Sequence, residues 1–148
     1  MSLCLRYTKN EEDAMEALNT GFYKVFKNIR QYEASKATVF TWMRTIIINS
    51  CLDISKAKEK IPEARELDRA TEVSIAPDIL SKINSEQILI LVRTLPPATQ
   101  AVFNLYVMEG YNHAETGKIL NISEGTSKWH LSEARRTLQK KINEHQLK

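Results

Sequence analysis

Apolar residues recur along this chain at steps of three and four, the spacing of one face of an α-helix. The first such run extends from about Glu11 to Ile29 and places Met15, Leu18, Phe22, Val25, Phe26 and Ile29 on the face expected to be buried. Glu11, Glu12, Asp13 and Glu16 crowd its first turns, where negative charge favours the positive end of the helix dipole. A loop from Gln31 to Lys36, polar apart from Tyr32 and Ala34, leads to a second helix from about Thr38 to Lys56. Phe40, Met43, Ile47, Cys51 and Ile54 line its apolar face. Trp42, Thr45, Asn49, Asp53 and Lys56 lie within about 40° of the opposite direction. A polar stripe that carries a tryptophan is unusual for a plain solvated face and marks a candidate functional surface.

From Ala57 to Ala76 the pattern weakens, charges dominate and Pro62 breaks any helix. Residues 57–79 are therefore expected to be a linker between two small helical domains, 1–56 and 80–148. The second domain opens with a helix from Ile79 to Thr94, which Leu95-Pro96-Pro97 ends and from which a new helix starts. That helix stops at Gly110, a natural C-terminal cap. Asn112 caps a short helix holding His113 to Leu120, Asn121-Ile122 makes a tight turn, and Ser123 caps a long final helix. Ser127, Leu131, Ala134, Leu138 and Ile142 form the buried face of that last helix. The expected fold is all-α.

Composition narrows the function. At 43% hydrophobic and 26% charged, the 148 residues suit a soluble globular chain, and the longest apolar runs fall far short of the roughly 20 residues of a membrane span. No signal peptide is visible at Met1 to Arg6, and Cys4 and Cys51 show neither metal-ligand nor disulfide-framework spacing. A cytoplasmic protein with reduced thiols is expected, with no cofactor, no metal and no small-molecule substrate. No Ser/His/Asp or Cys/His arrangement or phosphate loop suggests an enzyme. His113, His130 and His145 lack ligand spacing and are expected at the surface; Cys51 is expected in the core. Residues 1–60 carry ten Lys/Arg against seven Asp/Glu, residues 61–79 two against five, and residues 80–148 nine against six. Two mildly basic arms around an acidic stretch suit a chain that touches a polyanion at two places, or else are ordinary surface charge.

A short helix, a turn and a longer helix make a helix-turn-helix, whose second helix enters the DNA major groove; the same shape also occurs in plain bundles. Angular arithmetic puts Gly125, Thr126, Trp129, Ser132, Glu133, Arg136 and Lys140 on the outward face, flanked by Lys128 and Arg135, which can reach phosphates. Free N–H groups around Ser123 suit a phosphate oxygen, and Gly125 lets the backbone come close. Trp129 either reads DNA or packs against the other domain, and Asp53 is better suited to a structural cap or a salt bridge with a nearby lysine than to base reading.

The same residues carry a resemblance. Leu95-Pro96-Pro97, Ala101 to Tyr106, Glu109-Gly110-Tyr111, Ser123 to Lys128 and Ala134-Arg135 resemble region 4 of extracytoplasmic-function (ECF) sigma factors. Phe22 to Phe26, Phe40 to Arg44, Ile46, Asn49 and Leu52-Asp53 resemble region 2. The resemblance implies a transcription initiation factor that binds core RNA polymerase and promoter DNA, with an anti-sigma factor as a further class of partner. Region 4 would read the −35 element through Ser123, Gly125, Thr126, Lys128, Trp129, Ser132, Arg135 and Arg136. Region 2 would face the −10 element with Ser35, Lys36, Thr38, Trp42, Thr45, Asn49 and Lys56. Asn19, Thr20 and Tyr23 would contact the polymerase.

Several departures from the family pattern stand out. The chain starts partway into the first region 2 helix, which is expected to weaken that core and contacts to polymerase. Asn19-Thr20 replaces the usual Gln-Glu, and Thr116-Gly117 the usual Ile-Ala, trading about 1 kcal/mol of helix propensity for flexibility. Trp129 and Glu133 stand where smaller or basic residues are usual and bear on −35 preference. The competing readings are a self-standing helix-turn-helix regulator that binds operators as a dimer, and an interaction module that occupies an anti-sigma factor without initiating.

Overall fold

The computed structural model describes the backbone of residues 1–58 and 85–146, and every element among them is helical. They fall into two compact units, one within residues 1–60 and one within 61–148. Of the stretch expected as a linker, residues 57 and 58 end a helix; the rest of it, and the expected helix start at 79–84, lie outside the described residues. No described helix is long and apolar enough to cross a membrane.

In the first unit a 3₁₀ turn, Cys4–Arg6, precedes α1 (Glu11–Lys27); a second 3₁₀ turn, Ile29–Gln31, and a loop lead to α2 (Val39–Lys58). Asn10 caps α1 by accepting the Asp13 N–H at 2.8 Å. The packing of α1 on α2 corrects the expected core. Of the predicted face only Val25 is buried, while Met15, Phe22, Phe26 and Ile29 are exposed. The buried line is instead Ala14, Ala17, Gly21 and Val25, about 100° away around the helix. Small side chains let the two backbones approach: a Cβ on Gly21 would sit 2.9 Å from Ile47 Cγ1 and 3.1 Å from Ile47 Cα. On α2, Ile47, Ile48, Ser50, Cys51 and Leu52 are buried, whereas Phe40, expected in the core, is exposed beside the Arg44 guanidinium. The N-terminal turn packs in as well. Cys4, Tyr7 and Thr8 are buried, and Ser55 Oγ donates to the Tyr7 carbonyl at 2.7 Å. Cys51 is a core residue as expected, and its thiol meets that of Cys4; burial pushes it well above the usual thiol range.

The second unit comprises α3 (Ser85–Arg93), α4 (Pro97–Phe103) continued by a π-helical turn at Asn104–Met108, α5 (His113–Leu120) and α6 (Glu124–Gln146). Pro97 occupies the first turn of α4, where its missing N–H is no loss. Gly110, at φ +79°, turns the chain after the π-helical segment. The predicted face of α6 holds in full: Ser127, Leu131, Ala134, Leu138 and Ile142 are all buried. The last four join Leu91, Val92, Leu95, Val102 and Phe103 in one core.

Candidate nucleic-acid interface

The helix-turn-helix is built by local rules. Asn112 accepts from the Glu115 N–H at 2.9 Å while the Glu115 carboxylate accepts from the Asn112 N–H at 2.8 Å, a complete capping box at the start of α5. Asn121 ends α5 in the left-handed conformation, φ 57°. The Ile122 N–H then donates to the Gly117 carbonyl at 2.9 Å, folding the turn back onto α5. Gly117 is therefore a steric requirement rather than a source of flexibility: a Cβ there would lie 2.7 Å from the Ile122 carbonyl oxygen. Ser123 caps α6, its Oγ accepting from the Thr126 N–H at 3.0 Å and bonding Thr126 Oγ1 at 2.8 Å.

Part-buried polar links set the two helices against their surroundings. His113 Nδ1 lies 3.0 Å from the buried Ser127 Oγ, and its ring stacks on Tyr106 with centroids 4.3 Å apart. His130 Nδ1 lies 3.0 Å from Thr99 Oγ1, and its ring meets Trp129 edge-on at 4.9 Å. Both histidines are half-buried, which corrects the expectation that they are surface residues; His145 lies outside the described side chains. Desolvation holds both imidazoles below the ordinary histidine value, and the nearby Lys128 adds to this at His113.

With one face of α6 buried, the opposite face is open. Gly125, Lys128 and Arg136 are exposed; Thr126, Trp129, Ser132 and Arg135 are half-buried. Two cations there are already paired on their own helix. Lys128 Nζ contacts Glu124 Oε1 at 2.8 Å, an interaction that raises the lysine pKa and lowers that of the glutamate, and Arg136 pairs with Glu133. Glu133 is expected to bear on −35 preference, but neither its pairing with Arg136 nor that of Glu124 with Lys128 was anticipated; the i,i+3 and i,i+4 spacings were the available signal.

The second surface lies on α2 and the loop before it. Thr38 caps α2 through the Thr41 N–H at 3.3 Å, and Lys36 pairs with Glu33 at 2.8 Å. Trp42 is half-buried and tilts against Tyr32, ring centroids 5.5 Å apart, while Tyr32 Oη donates to the Ala37 carbonyl at 3.1 Å. Tyr32 thus props the tryptophan, a role signalled only by an aromatic in an otherwise polar loop. Asn49 and Lys56 are exposed on the same stripe, with Ser35 exposed in the loop; Thr45 is half-buried and donates to the Thr41 carbonyl. Asp53 is held by Lys24 at 3.0 Å, the salt bridge that was one of the two structural roles expected of it. On α1, Asn19 and Tyr23 are exposed and Thr20 is half-buried.

One unit thus carries a helix-turn-helix with cations on its outward face, and the other a helical pair with an aromatic and amide face. The family described as "Sigma-70 region 2" matches residues 1–60 and "Sigma-70, region 4" matches residues 85–138. The two follow in order and take in most of the chain, which belongs to the sigma-70 family. It is similar to the ECF RNA polymerase sigma factor SigM of Mycobacterium tuberculosis, 26% identical over 131 residues, covering 88% of this chain and 65% of SigM. It is likewise similar to the ECF RNA polymerase sigma factor SigE of Mycolicibacterium smegmatis, 24% identical over 151 residues, 97% of this chain and 57% of SigE. The chain thus spans less than two thirds of the length of these relatives. Its fold is similar to that of the sigma factor RpoE from Bartonella quintana, determined in complex with the anti-sigma factor NepR, with TM-score 0.65 at 15% identity over 96% of this chain and 88% of that one.

Proposed function

We propose that this chain acts as an ECF-type transcription initiation factor, binding core RNA polymerase and directing it to promoter DNA. On this reading α6 enters the major groove at the −35 element, with Ser123 and its neighbouring amides, Lys128, Arg135 and Arg136 toward phosphates. Gly125, Thr126, Trp129 and Ser132 lie nearest the base edges. The α2 stripe and its loop engage the −10 element: Trp42, braced by Tyr32, offers a stacking surface, Thr45 and Asn49 offer hydrogen bonds to an unpaired base, and Ser35, Lys36, Thr38 and Lys56 lie toward the backbone.

The observation that carries this reading is that a second, aromatic and amide-bearing face on α2 accompanies the helix-turn-helix in one chain. A self-standing regulator needs only the helix-turn-helix. The exposed apolar residues Met15, Phe22, Phe26 and Ile29, alongside Asn19, Thr20 and Tyr23, suit a protein partner, for which core polymerase is the first candidate and an anti-sigma factor the second. The domains act as 1–56 and 80–148 joined by a linker, the work is binding rather than covalent chemistry, and a cytoplasmic location follows from it.

Gel filtration of the chain with bacterial core RNA polymerase at low salt tests the reading. Co-elution at one chain per polymerase is expected. Separate elution, with binding to DNA alone retained, would hand the case to the self-standing regulator.

A further inference from the structure

Glu133 has no place in the phosphate-binding account of α6, yet it stands on the helix's outward face. Relative to the buried line through Leu131, Ala134 and Leu138 it points about 140° away, one turn after Trp129. Its carboxylate is held at both oxygens. Oε2 accepts from Arg136 Nη2, and Oε1 accepts from Thr137 Oγ1 at 3.5 Å. The side chain is only 26% exposed, whereas that of Arg136 is 71% exposed. A negative charge facing DNA is repelled by phosphates, so its useful target is a donor on a base edge.

In the major groove guanine presents two acceptors, and thymine an acceptor and a methyl group. Adenine sets its amino donor beside the N7 acceptor, which opposes a carboxylate. Cytosine alone offers an amino donor with no adjacent acceptor on the same base. We propose that Glu133 is a specificity-determining residue that accepts a hydrogen bond from the N4 amino group of a cytosine in the upstream promoter element. Arg136 holds the carboxylate in place and offsets its charge against the phosphates. The inference rests on the reading of α6 as a recognition helix.

The test is sequence selection by the 148-residue chain assembled with core RNA polymerase, from a library randomised across the upstream element. The wild type is expected to select one position at which cytosine exceeds each other base by about five- to tenfold. Glu133→Ala flattens that position, and Glu133→Gln shifts it toward adenine, since an amide can both donate to N7 and accept from N6. The other selected positions stay as in the wild type. Both variants keep a cooperative melting transition within a few degrees of the wild type, because Arg136, 71% exposed, is solvated without its partner and an i,i+3 pair contributes little to stability. Cytosine preference unchanged in both variants, or a uniform loss across all sequences, would overturn the proposal while leaving the recognition helix standing. A wild-type assembly that selects no upstream sequence would overturn the recognition helix itself, and the proposal with it.

Discussion

Glycine makes the sharpest residue-scale distinctions in this chain. Gly117 and Gly125 look alike in sequence, each within or at the start of a helix, but their surroundings differ. A Cβ on Gly117 meets the Ile122 carbonyl at 2.7 Å, whereas one on Gly125 meets nothing nearer than Ser123 Oγ at 3.8 Å. Gly117→Ala is expected to destabilise the second unit by about 1–3 kcal/mol in urea denaturation, because a backbone atom must yield. Gly125→Ala is expected to leave stability unchanged or raise it by up to about 1 kcal/mol, while weakening DNA binding. The histidines make a second prediction. Burial lowers the folded-state pKa of His113 and His130, so below about 6.5 the unfolded chain binds more protons than the folded one. Stability is therefore fully present above that value and is lost as pH falls from it toward the depressed folded values. The melting temperature is expected to drop between pH 7.5 and 5.5, and less so in His130→Gln; a flat profile would contradict the burial argument.

At the scale of elements, the helix-turn-helix was legible almost in full, because its determinants are local. Asn112, Glu115, Asn121 and Ser123 each act within a few residues, and the five-residue buried face of α6 follows one periodicity. The core of the first unit was not legible, for a physical reason. Periodicity picks out the largest apolar side chains, but α1 packs through Ala14, Ala17 and Gly21, where contact depends on the absence of bulk. The π-helical turn at Asn104–Met108 and the meeting of Cys4 with Cys51 are likewise tertiary facts without a local signature. The outward faces of α2 and α6 follow from helical periodicity, while the pairing of Glu124 with Lys128 and of Glu133 with Arg136 was not anticipated. The displaced apolar stripe has a consequence for stability. Phe26 is 73% exposed, so Phe26→Ser is expected to change unfolding free energy by no more than about 0.5 kcal/mol, as at an ordinary surface site. The same substitution is expected to weaken association with core polymerase measured by titration. A large loss of stability would place this side chain in the core after all.

For the molecule as a whole, the proposed function has two surfaces on one chain serve a single event, promoter recognition followed by opening. Charge is consistent with the division: residues 1–60 carry ten Lys/Arg against seven Asp/Glu and residues 80–148 nine against six, with an acidic stretch between them in sequence. The helix-turn-helix by itself explains attachment to duplex DNA but not strand opening, which needs a surface able to hold an unpaired base. On the proposed function, Trp42 and Asn49 on α2 would supply that chemistry. The most direct test is run-off transcription by the chain with core RNA polymerase on a library of promoter sequences, scored together with permanganate reactivity of the opened strand. The account predicts transcripts that share a two-part upstream signature, and an Asn49→Ala variant that still binds these promoters but opens them at least about tenfold less. Promoter-independent transcripts, or an Asn49→Ala variant that opens DNA as well as the wild type, would contradict it.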